Sequence, residues 1–226
     1  MRLGVLVDAL VVGGAIALLA SSGPFASTQL VDVPSVALCV TSGHVAKQGN
    51  VLSIDDKSMR AVVNDDHSSE AELQFRYAGP AKRLEPLANG ELRMQIGLKL
   101  RAKDTCNVVY VMWHIAPDQG VAVSIKSNPK KSTHGECGAT GYINEKPTVA
   151  RTAPPIAPGS THVLHAVIDH STLRVHADGI LVWEGDLGDA AFAFDGPAGV
   201  RTDNVETSFV LRVPQRGKPW RGCPLF

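Results

Sequence analysis

Charge imbalance is the first thing this chain of 226 residues lacks: 22 Lys and Arg stand against 22 Asp and Glu. No global field therefore draws it to nucleic acid or to a membrane surface. Aromatic residues make up only 5%, against 21 Gly and 14 Pro, a composition that suits many short strands joined by turns. The four cysteines include no C-x-x-C pair, which removes zinc-ribbon and thioredoxin-like readings. There is no G-x-S-x-G elbow, no G-x-x-x-x-G-K-[ST] loop, no H-E-x-x-H pair and no EF-hand loop. Internal repeats, low-complexity tracts and linkers are missing too, so one domain from 27 to 226 is expected.

What is present begins with a targeting signature. Arg2 supplies a positive start, Leu3 to Ala20 an apolar run, and Ser21 to Ala26 small residues for cleavage. Residues 1–26 therefore read as a signal peptide, with an uncleaved anchor as the alternative and the only route to a membrane. Cleavage is favoured because Gly4, Gly13 and Gly14 weaken a permanent helix. An even cysteine count behind a signal peptide reads as two disulfides in a secreted, periplasmic or cell-surface protein. Four cysteines allow three pairings.

The most regular stretch is Thr161 to Val213. Leu164, Ala166 and Ile168 alternate with polar neighbours, as do Leu173, Val175 and Ala177, on either side of His170-Ser171. Asp178-Gly179 supplies a tight hairpin turn before a third strand, Ile180 to Trp183. After a loop and Gly199-Val200-Arg201-Thr202-Asp203-Asn204, the residues Phe209, Leu211 and Val213 alternate again. This is an antiparallel meander with one apolar face. The hairpin TLRVHADGILVWEG and the closing GVRTDN…FVLRV resemble the last part of concanavalin A-like (laminin G-like) lectin/glucanase jelly rolls. The resemblance implies an all-β fold of two antiparallel sheets. It also implies chain ends lying close together, which selects Cys39–Cys223 and leaves Cys106–Cys137 to pin the loop after the 106–126 hairpin.

Upstream, three short strands are expected at Val36–Thr41, Asn50–Ile54 and Met59–Val63, with a turn at Asp55-Asp56-Lys57, followed by a strand at Glu72–Tyr77. The middle block is more informative. Strand 93–101 puts Met94, Ile96, Leu98 and Leu100 on one face, and Arg93, Gln95, Gly97, Lys99 and Arg101 on the other. Strand 106–115 places Val109, Val111, Trp113 and Ile115 inward and Val108, Tyr110, Met112 and His114 outward. Strand 121–126 ends in Lys126. If these strands are neighbours, one polar face gathers Arg93, Gln95, Lys99, Tyr110, His114 and Lys126. Such a face is either a solvated surface or a site, and the concave polar face of the resembled jelly rolls holds carbohydrate. Aromatic rings stack on sugars, and Arg, Lys and Gln bond hydroxyls and carboxylates. A basic face on a neutral protein points to an anionic polysaccharide. The loop Ser127–Pro147, with Lys130, Lys131, His134, Glu136 and Tyr142, adds candidate specificity residues in His134 and Glu136.

Catalysis finds less support. Glucanases of the resembled fold carry paired carboxylates in an E-x-D-x-E strand. Here the nearest acidic cluster, Glu184-Gly185-Asp186 with Asp189, is assigned to a turn. Glu91 to Ile96 resembles alginate-lyase motifs, and Arg93, Gln95, Tyr110 and His114 have the residue types a lyase uses. Gly97 stands where that family has His, however, and its Y-x-K-x-G-x-Y motif is missing. The expectation is a secreted non-catalytic carbohydrate-binding domain. A uronate polysaccharide lyase and an adhesive envelope protein are the alternatives. No cofactor is expected: turn capping is the favoured role for Asp203-Asn204, with a calcium ion there as the alternative. The oligomeric state stays open.

Overall fold

The computed structural model of the chain describes residues 29–65, 67–215 and 217–223. The expected signal segment lies outside the described residues. In chain order the strands are β1 (Leu30–Asp32), β2 (Leu38–Ser42), β3 (Ala46–Gln48), β4 (Val51–Val63), β5 (Glu70–Pro80), β6 (Met94–Leu100), β7 (Val108–Ala116) and β8 (Gly120–Lys126). A single helical turn, α1 (His134–Cys137), precedes β9 (Tyr142–Asn144), β10 (Val149–Ala150), β11 (Thr161–Asp169), β12 (Thr172–Ala177), β13 (Ile180–Asp186) and β14 (Gly199–Pro214). All pairings are antiparallel, in the order β10-β13-β12-β11-β5-β14-β6-β7-β8-β9, with β4 and β1 on the other edge of β14.

The sheet forks at Asn204. Gly199 to Asp203 pair with β6, whereas Val205 to Arg212 pair with β5, and β4 follows the opposite edge through both halves. Asn204 takes φ +58°, a left-handed conformation open to asparagine. Its side chain accepts from Glu85 N and donates to Glu85 O and Arg93 O, tying the 81–93 loop across the fork. The two layers close on one core. Ile96, Leu98, Val111 and Trp113 of one layer meet Leu73, Phe75, Leu164 and Val175 of the other. Trp113 and Phe75 join edge to face with centroids 5.8 Å apart, a geometry the ring quadrupoles favour.

The 161–213 meander matches its sequence pattern. Asp178 and Gly179 both take positive φ, +50° and +78°, as the tight turn requires. Both disulfides form, Cys39–Cys223 and Cys106–Cys137. Three expectations are corrected. The segment 36–63 holds three strands, but with other bounds: residues 35–37 form a short 3-10 turn before β2, β3 lies at Ala46–Gln48, and the two expected strands at 50–54 and 59–63 are one, β4, unbroken from 51 to 63. Asp55, Asp56 and Lys57 mark where β4 passes the fork and their side chains reach outward, Asp55 to Lys82 and Lys57 to Glu85. A polar run on a strand can thus signal a bend instead of a reversal. Glu184 and Asp186 belong to β13 and not to a turn, where they accept bonds from Arg174 and Thr172. Asp203 likewise sits within β14.

Candidate ligand-binding face

The register of β4, β14, β6, β7 and β8 assembles one face in cross-strand rows. Arg60, Arg201, Gly97, Met112 and Ala122 form one row. Asp203, Gln95 and His114 form the next. On the opposite side of the first row, Gly199, Lys99, Tyr110 and Ser124 line up. The strand period of two puts all of them on the side away from the core. Gly97 matters here: a Cβ would lie 2.1 Å from Val111 O and 2.9 Å from Met112 Sδ. Its bareness lets the β7 backbone pack closely against β6, and the Arg201 guanidinium lies 4.8 Å from the centre of the Tyr110 ring on β7.

This polar face is not a solvated one. Gln95 is 2% exposed, Lys99 4% and Tyr110 5%, and Val108 and Met112 form a small second apolar cluster with Tyr110 and Ala102. The single carboxylate among these groups, Asp203, is fully engaged. It accepts from Arg60 Nη2 at 2.6 Å, Arg201 Nε at 2.9 Å and Gln95 Nε2 at 2.6 Å. Burial alone would raise the Asp203 pKa, but Arg60, Arg201 and the Gln95 amide hold it below the carboxylate range. Arg201, whose burial opposes its charge, is held above its ordinary range by Asp203. Lys99 has no such partner: burial, with Arg60 and Arg201 beside it, brings its ammonium down to about 8. Two arginines therefore share one carboxylate, and a third, buried cation beside them has none.

The expected site residues divide. Gln95, Lys99 and Tyr110 lie together on this face. His114 stands opposite Gln95, and burial followed by the Arg93 charge brings it down to about 4. Arg93 is at the same end, 3.4 Å from His114, with its own charge met by Glu91. Lys126 shares the face, yet its ammonium donates to Thr105 O at 3.1 Å and Gly138 O at 2.7 Å, fastening the loop that Cys106–Cys137 also pins. It lies 5.4 Å from the Tyr142 ring, which stacks on Tyr110 at 6.2 Å. His134 is exposed in α1. The Glu136 carboxylate is used in a capping box, accepting from Ser132 N, Thr133 N and Thr133 Oγ1, which hold its pKa down to about 2. Its role in the described structure is local.

Sequence reasoning missed Arg60 and Arg201, and it assigned Asp203 to a turn or a calcium ion. Arg60 and Arg201 alternate with apolar neighbours like any outward strand residue, and only their shared partner distinguishes them. A calcium ion at Asp203 would have to displace two guanidinium contacts. No group of three or more His, Cys, Asp or Glu suited to a metal exists among the described residues. A second missed constellation is Ser160–His162–Asp178. Ser160 Oγ lies 2.7 Å from His162 Nε2, and His162 Nδ1 lies 2.7 Å from Asp178 Oδ2. It has the connectivity of a nucleophilic triad without the rest of one. Ser160 Oγ also donates to Ala157 O at 2.5 Å. The adjacent N–H groups are spent: Gly159 on Tyr77 O, Ser160 on Ala157 O, and Ala157 on Ser160 Oγ. No pair of backbone donors is left there for an oxyanion.

No family model matches the chain, and no curated protein does. Solved structures do match. The carbohydrate binding module CBM66 from Bacillus subtilis superposes with a TM-score of 0.54 at 13% identity, over 77% of this chain and 92% of that one. The metal-free Emp46p carbohydrate recognition domain gives 0.52 at 6% identity, over 81% and 95%. The fold is a concanavalin A-like jelly roll. At these identities the likeness establishes architecture alone, and the forked β14 is what joins the two sheets of this jelly roll.

Proposed function

We propose that the chain is a non-catalytic carbohydrate-binding domain whose concave face, built on β4, β14, β6 and β7, takes an acidic polysaccharide. The observation that carries this reading is the charge imbalance of that face: Arg60 and Arg201 share the one carboxylate of Asp203, and Lys99 lies near both arginines with no carboxylate bonded to it. Desolvated cations are retained against a cost unless something anionic offsets them. Beside them Tyr110 and Tyr142 stack, and Tyr142 presents an exposed ring of the kind that packs against a sugar face. The jelly-roll neighbours described as a carbohydrate binding module and a carbohydrate recognition domain support the ligand class. Two disulfides support folding in an oxidising compartment, in keeping with export.

The lyase alternative needs a base and an acid flanking one sugar. His114 and Tyr110 are four residues apart on β7, which separates their Cα atoms by about 13 Å at strand rise. That spacing favours binding over elimination. The test is affinity chromatography and calorimetry on uronate polysaccharides and neutral glucans, with absorbance monitored for unsaturated products. Retention on the acidic polymer without product, and at least tenfold weaker retention of Tyr142→Ala, is the expected result. Product formation would transfer the reading to a lyase, and silence on every glycan would end the carbohydrate reading.

A further inference from the structure

The hydrogen bonds of the β4-β14-β6-β7 face leave one set of donors over. Arg60 spends Nη1 on Met59 O and Thr202 O, and Nη2 on Asp203. Arg201 spends Nε on Asp203, so that both Nη groups point elsewhere, above the Tyr110 ring. Lys99 Nζ and Tyr110 Oη bond to no other described residue, although Lys99 is 4% and Tyr110 5% exposed. The side-chain atoms that are both fully enclosed and without a partner are Gln95 Oε1, Thr202 Oγ1 and His176 Nδ1. The Lys99, Arg201 and Tyr110 tips are not among them and still reach solvent. Lys99 and Tyr110 are direct cross-strand partners, and Arg201 pairs with Gly97, two residues before Lys99 on β6. A fork of two N–H groups, an ammonium and a hydroxyl thus stand on neighbouring strands of one face with no acceptor among the described residues.

We infer that Arg201, Lys99 and Tyr110 form a seat for a single oxyanion, a carboxylate or sulfate, which the face binds as a group in its own right. The inference rests on the concave face being the ligand face, and it names the part of the ligand that anchors there. The Arg201 fork matches two oxygens of one anionic group side by side, Lys99 adds a point charge, and Tyr110 donates its hydroxyl. Asp203 holds the fork in place without cancelling it, because Arg60 answers the Asp203 charge from the other side. Inorganic sulfate therefore occupies the seat without any sugar attached.

Lys99 gives the seat a pH response. The groups facing it are Arg60 from β4, Arg201 from β14, Tyr110 from β7 and Asp104 from the loop after β6. The cations and burial favour its neutral form, and Asp104 opposes them weakly. A seated anion favours the ammonium, so anion affinity falls as pH rises through about 8.

The experiment compares the wild-type chain with Lys99→Met and Tyr110→Phe in thermal melts and calorimetry. The probes are sodium sulfate, a galacturonate trisaccharide and a neutral glucan trisaccharide, against sodium chloride at matched ionic strength. Sulfate at about 100 times its dissociation constant is expected to raise the wild-type Tm by about 5–10 °C. Lys99→Met should lose at least tenfold in affinity for sulfate and uronate while melting no lower than wild type without them. Tyr110→Phe should lose a smaller factor. Sulfate stabilisation of wild type alone, with no glycan bound, would keep the seat and overturn the carbohydrate reading. Glycan binding that Lys99→Met leaves intact would keep the carbohydrate reading and overturn the seat. Equal melts in sulfate and chloride would overturn the seat outright.

Discussion

The two polar faces of this sandwich are built from the same residue types and behave differently. On the outer face of β5, β11, β12 and β14, Arg212 and Arg174 have carboxylates of their own, while Arg76 is left exposed to water. Arg212 meets Asp32 at 2.8 Å and Glu72 at 2.6 Å, and Arg174 meets Glu184 at 2.7 Å. His165 adds a contact with Glu70 at 3.0 Å. These side chains stay partly in water, with Arg212 30% exposed. On the β4-β14-β6-β7 face, Arg60 and Arg201 share Asp203, whose side chain is 2% exposed, and the buried Lys99 has no carboxylate bonded to it. The comparison teaches that polar residues on a strand face do not distinguish surface from site. The balance of partners, weighted by burial, does.

The sharpest way to break the comparison is to remove the shared carboxylate. Asp203→Asn keeps the shape and deletes the charge that Arg60 and Arg201 both contact. Removing one partner of a buried ion cluster costs about 3–5 kcal/mol, because the remaining cations stay desolvated. Urea denaturation should show that loss, and sulfate should restore part of it if the seat lies beside Arg201. A loss under 1 kcal/mol would mean that the face is wetter than its burial indicates.

Much of this face was legible in the sequence, and the illegible part has a definite cause. Alternation in 93–101 and 106–115 places Gln95, Lys99, Tyr110 and His114 on one side, because the strand period is local. The partners Arg60 and Asp203 are separated by 143 positions. They become neighbours only through the long pairing of β4 with β14, and no local pattern announces that. The run Asp55-Asp56-Lys57 misled for the same reason: its composition is that of a turn, but the strand persists because β14 pairs with it on both sides of the fork. The 161–213 meander and both disulfides were readable because hairpins and a familiar closing motif carry their own signals.

A second, intermediate effect comes from Lys99. Its folded-state ammonium titrates at about 8 against 10.5 in the unfolded chain. Between those values the unfolded state binds more protons, so stability rises with pH, by up to about 3 kcal/mol in total. Tyr110 is shifted up by burial and acts in the opposite sense above its ordinary value of 10.0. The window is therefore about pH 8 to 10. Urea midpoints should climb across it in wild type and stay level in Lys99→Met. A level wild-type profile would mean that the Lys99 ammonium is already satisfied.

The smallest effect belongs to the outer face and completes the contrast. Glu72→Gln removes one of the two carboxylates that Arg212 contacts. Arg212 retains Asp32 and the Gln74 amide at 2.9 Å, and its exposed part is hydrated. An exposed pair of this kind contributes about 0–1 kcal/mol, which salt screens. Urea denaturation at low and high salt should therefore place Glu72→Gln within 1 kcal/mol of wild type, converging further as salt rises. The Asp203→Asn deficit should persist better against chloride, because Asp203 is 2% exposed and its arginine partners are more buried than Arg212. Equal, salt-sensitive deficits for both variants would erase the distinction between the faces, and with it the physical reason for placing the ligand on the concave one.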